Sequence, residues 1–227
     1  MFLCKISTQY LEAYLSYQRK KRPAKFAFLP CKAKYFLTIL RFMKFLYSIF
    51  IISGTWNGSD VAVKAFNTRE EESFKREKDI YGQILLRHDN ILVYYGHDCT
   101  SVNSTTQQWI VTQYHPLGSL YDYLNRPEVQ SLSCETAFKL IFTALKGLVH
   151  LHSEVRATQE KPSIAHRDIK SKNILIRGTS ESELSCVLAD FGLAVTDNEL
   201  PYLTFTENTN TRVGTKRYMS PEVLDLR

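Results

Sequence analysis

What the chain lacks narrows its class before any motif is read. Its five cysteines (Cys4, Cys31, Cys99, Cys134, Cys186) are odd in number, widely scattered and never in C-x-x-C spacing. That suggests neither a disulfide framework nor a zinc site, and a reducing compartment is the simplest reading. No internal repeat or low-complexity tract occurs. No clean transmembrane helix is present either. Residues 35–53 are rich in Phe, Leu and Ile, but Arg41 and Lys44 interrupt them, and a span needs about 20 apolar residues in a row. The stretch from Met43 onward has the look of a signal-peptide core, yet it is internal and no small-residue cleavage site follows. A buried strand, or sequence foreign to the domain that follows, is the plainer reading.

What is present fits a globular protein with a real core: 227 residues, 44% of them hydrophobic, enough for one large domain or two small ones. Lys and Arg number 29 against 23 Asp and Glu, a balance of +6. The excess is local, because residues 1–60 carry +8 and the rest carries −2. A nucleic-acid surface spreads basic residues over a folded body with interleaved aromatics. Here the run Arg19, Lys20, Lys21, Arg22 sits beside an acidic remainder, so nucleic acid is not an expected partner.

Composition changes near Gly54, from cations and aromatics to alternating strand and helix patterns with polar turns. Residues 1–53 are an unassigned basic and aromatic segment, one reading of which is sequence not native to the domain. Beyond it, residues 60–66 read as a strand and 68–86 as a helix that places Phe74, Glu77, Tyr81 and Ile84 on one face. Residues 91–95 and 108–113 read as strands around a polar loop from His97 to Thr106. Ser133 is an N-cap candidate for a helix whose Ala137, Leu140, Ile141, Ala144, Leu145 and Leu148 form a stripe expected to be core. Residues 174–176 and 186–189 form a hairpin signature, and the long polar stretch 196–211 reads as a mobile functional loop.

The strongest chemical signal is His166-Arg167-Asp168-Ile169-Lys170-Ser171-Lys172-Asn173, followed after the hairpin by Asp190-Phe191-Gly192. Phosphoryl transfer needs a placed hydroxyl, screened phosphate charge and a held Mg²⁺. Asp168 can take the proton of a substrate hydroxyl and Lys170 can neutralise the moving phosphoryl group, while Asn173 and Asp190 offer oxygens to a hard cation. The bland alternative is a loop of solvated charges. Val61-Ala62-Val63-Lys64 sets a lysine on a strand between apolar neighbours, with Glu77 thirteen residues on as a natural partner. Alone, that tetrapeptide reads better as a surface lysine on an edge strand.

Taken in order, Lys64, Glu77, the His166 loop, Asp190-Phe191-Gly192 and Ser220-Pro221-Glu222 resemble the signature set of the eukaryotic protein kinases. Further stretches resemble the transforming-growth-factor-β, activin and bone-morphogenetic-protein receptor serine/threonine kinases, type I members above all. They include Leu86-Arg87-His88-Asp89-Asn90-Ile91-Leu92, Gly118-Ser119-Leu120-Tyr121-Asp122-Tyr123-Leu124, Thr158-Gln159-Glu160-Lys161-Pro162 and Arg212-Val213-Gly214-Thr215-Lys216-Arg217-Tyr218-Met219. The resemblance implies that Lys64 holds the ATP α/β-phosphates and pairs with Glu77, that Thr112 is a gatekeeper before a hinge at Gln113, Tyr114 and His115, and that Ala62 and Leu175 sandwich adenine. It implies ATP with Mg²⁺, or Mn²⁺ in its place. It also implies a SMAD-type protein substrate, partner type I or type II receptor chains, and a single-pass membrane receptor whose kinase domain is cytoplasmic. Lys170 and Thr215 favour Ser/Thr over Tyr as acceptor.

The expected fold is therefore α+β and two-lobed, protein-kinase-like, with a partial kinase domain over 54–227: an N-lobe over about 54–115 and the start of a C-lobe over about 116–227. It is expected to be truncated at both ends. The Gly-rich loop should fall around Leu46 to Phe50, where the sequence reads L-Y-S-I-F, and most of the helical C-lobe is missing. Phe191 is more typical of type II receptors. The alternative function is a catalytically inactive truncated kinase that acts as a binding or competitor module.

Overall fold

The structure, a computed structural model, describes residues 37–46, 49–56, 58–102, 105–156, 160–197 and 213–225. The basic run Arg19 to Arg22, Cys4, Cys31, most of the polar stretch 196–211, and Thr158 and Gln159 lie outside the described residues. So do Tyr47 and Ser48 in the expected Gly-rich position. The chain divides into two compact units: residues up to Glu71 together with Tyr94–Tyr114, and Glu72–Val93 together with the residues from His115 onward.

The first unit is built on an antiparallel sheet of five strands. They are β1 (Leu37–Leu46), β2 (Ile49–Trp56), β3 (Ser59–Phe66), β4 (Tyr94–Val102) and β5 (Thr105–Gln113), in spatial order β1-β2-β3-β5-β4. Val, Ile, Phe and Thr fill these stretches, the residue types that suit a pleated surface. The compositional change at Gly54 falls inside β2 and not between elements: Ile52 pairs with Val63 and Gly54 with Val61. Residues 37–53, set apart by composition, thus supply two strands of the sheet. β4 and β5 run on past the boundaries that apolar alternation suggests, to a last pair at Val102 and Thr105. Most of the polar loop His97–Thr106 is therefore ladder, which Thr-rich sequence tolerates because β-branching favours extended backbone whatever its polarity. The side chains of Val61, Val63 and Trp109 form a buried cluster, with Trp56, Ala65, Tyr95 and Val111 packed on it.

The second unit is mainly helical. The stretch 68–86 is not one helix: a 3-10 turn at Thr68–Glu70, which belongs to the first unit, leads into α1 (Glu71–Tyr81), and a second 3-10 turn follows at Ile84–Leu86. Asn67 caps the start reciprocally with Glu70, and the break at Gly82 suits a residue that lowers helix propensity. Next come α2 (Leu120–Leu124), capped by Ser119 and Asp122, and α3 (Cys134–His152), where Ser133 accepts from the Thr136 amide as its sequence position predicts. The expected hairpin is β6 (Ile174–Arg177) paired with β7 (Ser185–Leu188). Leu188 N–H donates to Asn90 O and Leu92 N–H to Leu188 O, at 2.9 Å each, which ties the segment after α1 to the hairpin. A short helix, α4 (Pro221–Leu224), ends the described chain.

One expectation fails on α3. Thr136, Leu140, Gly147 and Leu151 face inward, but Ile141 and Leu145 of the predicted core stripe are 59% and 52% exposed. Phe138, Phe142 and Val149 stand exposed beside them. Helical periodicity locates an apolar side and says nothing of what covers it. No helix among the described residues is long and apolar enough to cross a membrane.

Candidate active site

In the first unit, strand register decides which predicted residues share a face. Ala62 pairs with Thr112 and Lys64 with Ile110, so these four lie on the sheet face opposite Val61 and Val63. Thr112 is buried and Ala62 and Lys64 are half-buried. The Lys64 ammonium lies 5.0 Å from the centre of the Phe66 ring. Gln113 pairs with Val61 on the other face, and the Tyr114 amide donates to Asp60 O at 3.3 Å.

In the second unit, Glu77 is 2% exposed, buried on α1 with Phe74, Ile80 and Tyr81. An acid at that depth on an apolar face needs an interaction that compensates its desolvation. His115 is also buried, and its carbonyl accepts the Gly118 amide at 3.0 Å. Its Nε2 has no hydrogen-bond partner among the described residues. Leu175 sits on β6 against Leu92, Val187 and Ala189.

Residues of the His166–Asn173 loop, together with Thr215, converge on Asp168. Its Oδ2 accepts the Lys170 ammonium at 2.5 Å and the Asn173 side-chain amide at 3.0 Å. Its Oδ1 accepts the Thr215 amide at 2.9 Å and the Thr215 hydroxyl at 2.8 Å. Lys170 also donates to the Thr215 hydroxyl at 2.8 Å. Burial pushes the Asp168 carboxyl up, but the bonds from Lys170 and Thr215 outweigh it and hold the pKa below the usual value. The group is therefore ionised at neutral pH.

Backbone geometry supports this cluster. Arg167 and Asp190 have φ of 64° and 67°, the non-glycine residues with positive φ among those described. Such residues are uncommon and are held in place by their surroundings. Arg167 is held through Nε to Leu193 O at 2.7 Å. His166 Nε2 lies 3.0 Å from Ala189 O, and burial keeps its imidazole below its ordinary pKa, hence neutral. The Ala189 amide donates to Asn173 O at 2.9 Å, which joins the loop to the residue before Asp190. Phe191 is fully buried, edge-on to Tyr81 with centroids 5.2 Å apart. A Cβ on Gly192 would collide with the Ser73 hydroxyl of α1.

The donor chemistry suits a hard divalent cation. Both amide hydrogens of Asn173 go to Asp168, its carbonyl and its Oδ2, so Oδ1 is the atom Asn173 can offer, alongside the Asp190 carboxylate. No cluster of three His, Cys, Asp or Glu exists among the described residues. A cation held here would complete its shell with phosphate and water oxygens, as Mg²⁺ commonly does. In the sequence Thr215 is only a mark of acceptor class; its two hydrogen bonds to Asp168 join residues 47 apart and have no local signal. The link from Ser171 Oγ to the Tyr218 hydroxyl, 3.2 Å, was equally invisible.

A lysine-bearing strand, a buried helical glutamate, a bonded His-Arg-Asp loop and an Asp-Phe-Gly turn are the parts of a phosphotransferase domain. The protein kinase domain family matches residues 32–227, and the chain belongs to that family. Among its relatives are the activin receptor type-1-like proteins of Mus musculus and Homo sapiens, each 52% identical over 173 residues, 76% of this chain and 33% of theirs. The activin receptor type-1 of Gallus gallus is 48% identical over 172 residues, 76% of this chain and 32% of its own. The resemblance to the activin branch of the receptor kinases is thus borne out over three quarters of the sequence. The chain spans about a third of the length of the curated relatives it matches.

Proposed function

We propose that the chain carries the catalytic machinery of a receptor serine/threonine kinase, which transfers the γ-phosphate of ATP to a Ser or Thr hydroxyl of a SMAD-type protein. The observation that carries this reading is the Asp168 cluster, in which one ionised carboxylate is oriented by Lys170, Asn173 and Thr215. ATP supplies the phosphoryl group and Mg²⁺ the charge neutralisation. Asp168 accepts the proton of the acceptor hydroxyl as its oxygen bonds to the γ-phosphorus and the bond to the β-phosphate oxygen breaks. Lys170 balances the charge that spreads over the moving group. Asn173 and Asp190 would hold the cation; by the family resemblance, Lys64 and Glu77 are assigned to the α/β-phosphates, and Ala62, Leu175, Thr112, Gln113 and His115 to the base. Receptor-chain partners and a membrane setting follow from the activin receptor relatives and are part of the proposal.

A second reading, a non-catalytic binding module, is favoured by one observation: no glycine occurs between Leu37 and Ser53, where the phosphate-cradling loop of a kinase belongs. Mg-ATP binding measured by calorimetry separates the two, since micromolar affinity is expected of the kinase and none of the module. For the transfer itself, Asp190→Asn is expected to reduce incorporation of labelled phosphate at least a hundredfold at unchanged folding. Undiminished transfer by that variant would remove the assignment.

A further inference from the structure

Asp168 has no lone pair to spare. A carboxylate offers about four acceptor sites, and the Thr215 amide, the Thr215 hydroxyl, the Lys170 ammonium and the Asn173 amide take one each. A substrate hydroxyl would be a fifth donor, so it can bond to Asp168 only after one of the four has left. Three are poorly placed to leave. The Thr215 amide belongs to the backbone of a turn closed by the Tyr218 amide on Thr215 O at 2.8 Å. The Thr215 hydroxyl moves with that turn. Asn173 is buried and bonded twice to Asp168, once to its backbone carbonyl.

Lys170 differs on each count. Its ammonium ends a flexible stem, its side chain is 19% exposed, and its full charge is attracted by any phosphate that approaches. When it departs, Thr215 keeps both bonds to Oδ1 and Asn173 keeps its bond to Oδ2, so the carboxylate stays oriented with one acceptor site released.

We propose that Lys170 is a lock on Asp168: it closes Oδ2 to acceptor hydroxyls until the terminal phosphate of the bound nucleotide draws the ammonium away, so that a hydroxyl is recognised only after nucleotide has bound. This rests on the phosphoryl-transfer reading, and the test separates the two. A fluorescein-labelled peptide is chosen from a serine-centred library by its phosphorylation with the full chain, and a twin carries Ala in place of the acceptor Ser. Binding of both is followed by anisotropy with Mg²⁺, with and without the non-hydrolysable analogue AMP-PNP. Without the analogue the twins are expected to bind alike. With it the Ser peptide is expected to bind about tenfold tighter, the worth of one hydrogen bond to a charged acceptor. In Lys170→Met the Ser preference is expected without nucleotide.

A Ser preference in the wild-type chain without AMP-PNP, or none with it, overturns the lock while peptide phosphorylation leaves the kinase reading standing. The two wild-type measurements decide this even where Lys170→Met does not fold. If no library member is phosphorylated and AMP-PNP does not bind, the kinase reading fails and the lock fails with it.

Discussion

His115 is 6% exposed. Burial, with the Arg177 guanidinium nearby, brings its pKa from 6.5 to about 4, against a smaller opposing contribution from the Ile176 backbone. The imidazole is therefore neutral in the folded chain at pH 7, and acid must charge it where water cannot reach. Between pH 6.5 and about 4 the unfolded chain binds a proton at this position that the folded chain does not, so stability falls as pH falls through that window. Each pKa unit is worth about 1.4 kcal/mol, which gives a loss of up to about 3 kcal/mol from this group. His166 is displaced in the same direction by its burial, so the contribution has to be isolated. Urea unfolding of the wild-type chain and of His115→Gln at pH 7 and pH 4.5 is expected to show a smaller acid loss in the variant; equal losses would remove His115 from the account. Lys161 shows the opposite solution for a buried group. Its fully buried side chain donates to Leu151 O and Ser153 O at the C-terminus of α3, and to Pro162 O.

At the scale of elements, α3 is where helix propensity and packing give opposite answers. Gly147 lies mid-helix, and replacing it with Ala in an exposed helix would add about 1 kcal/mol of stability. In this fold its added Cβ would lie 2.6 Å from Asn90 O and 3.1 Å from Leu188. Asn90 cannot retreat easily, because its side chain donates to Cys186 O at 2.8 Å and its carbonyl accepts Leu188 N–H at 2.9 Å. The contact is thus backbone against helix, and α3 has to move off β7. Gly147→Ala is expected to destabilise by about 1–3 kcal/mol, the usual cost of overpacking. Thermal unfolding followed by circular dichroism gives the sign directly. The sequence carried the existence of α3, its Ser133 cap and its apolar side; it carried neither the need for glycine at 147 nor the exposure of Ile141 and Leu145. Those depend on Asn90 and on what stands opposite the helix, which periodicity does not encode.

For the whole molecule, the same division holds between local and distant information. The loop from His166 to Asn173, the Asp190 turn and the strand of Lys64 were legible because each is a contiguous pattern with its own chemistry. The two bonds from Thr215 to Asp168 were not, since they cross 47 residues. Composition sets residues 1–53 apart because an aromatic, basic stretch looks unlike the domain that follows, although the β2–β3 ladder runs unbroken through Gly54.

Among the described residues, one buried cluster gathers around Val63 and Trp109 in the first unit and another around Leu92, Val187 and Ala189 in the second. Both tryptophans of the chain, Trp56 and Trp109, belong to the first unit, while α3 and nearly all of α1 belong to the second. Tryptophan fluorescence therefore reports the sheet, and ellipticity at the helical band reports mainly the second unit. Leu140 is buried on α3 at 4% exposure, and truncating such a residue to Ala costs about 2–5 kcal/mol. Where units with separate cores open separately, unfolding departs from two-state behaviour. Leu140→Ala is accordingly expected to lower the urea midpoint seen by ellipticity while that seen by fluorescence moves much less, and Val63→Ala is expected to do the reverse. Coincident shifts in both probes, for both variants, would show instead that the sheet and the helices unfold as one cooperative body.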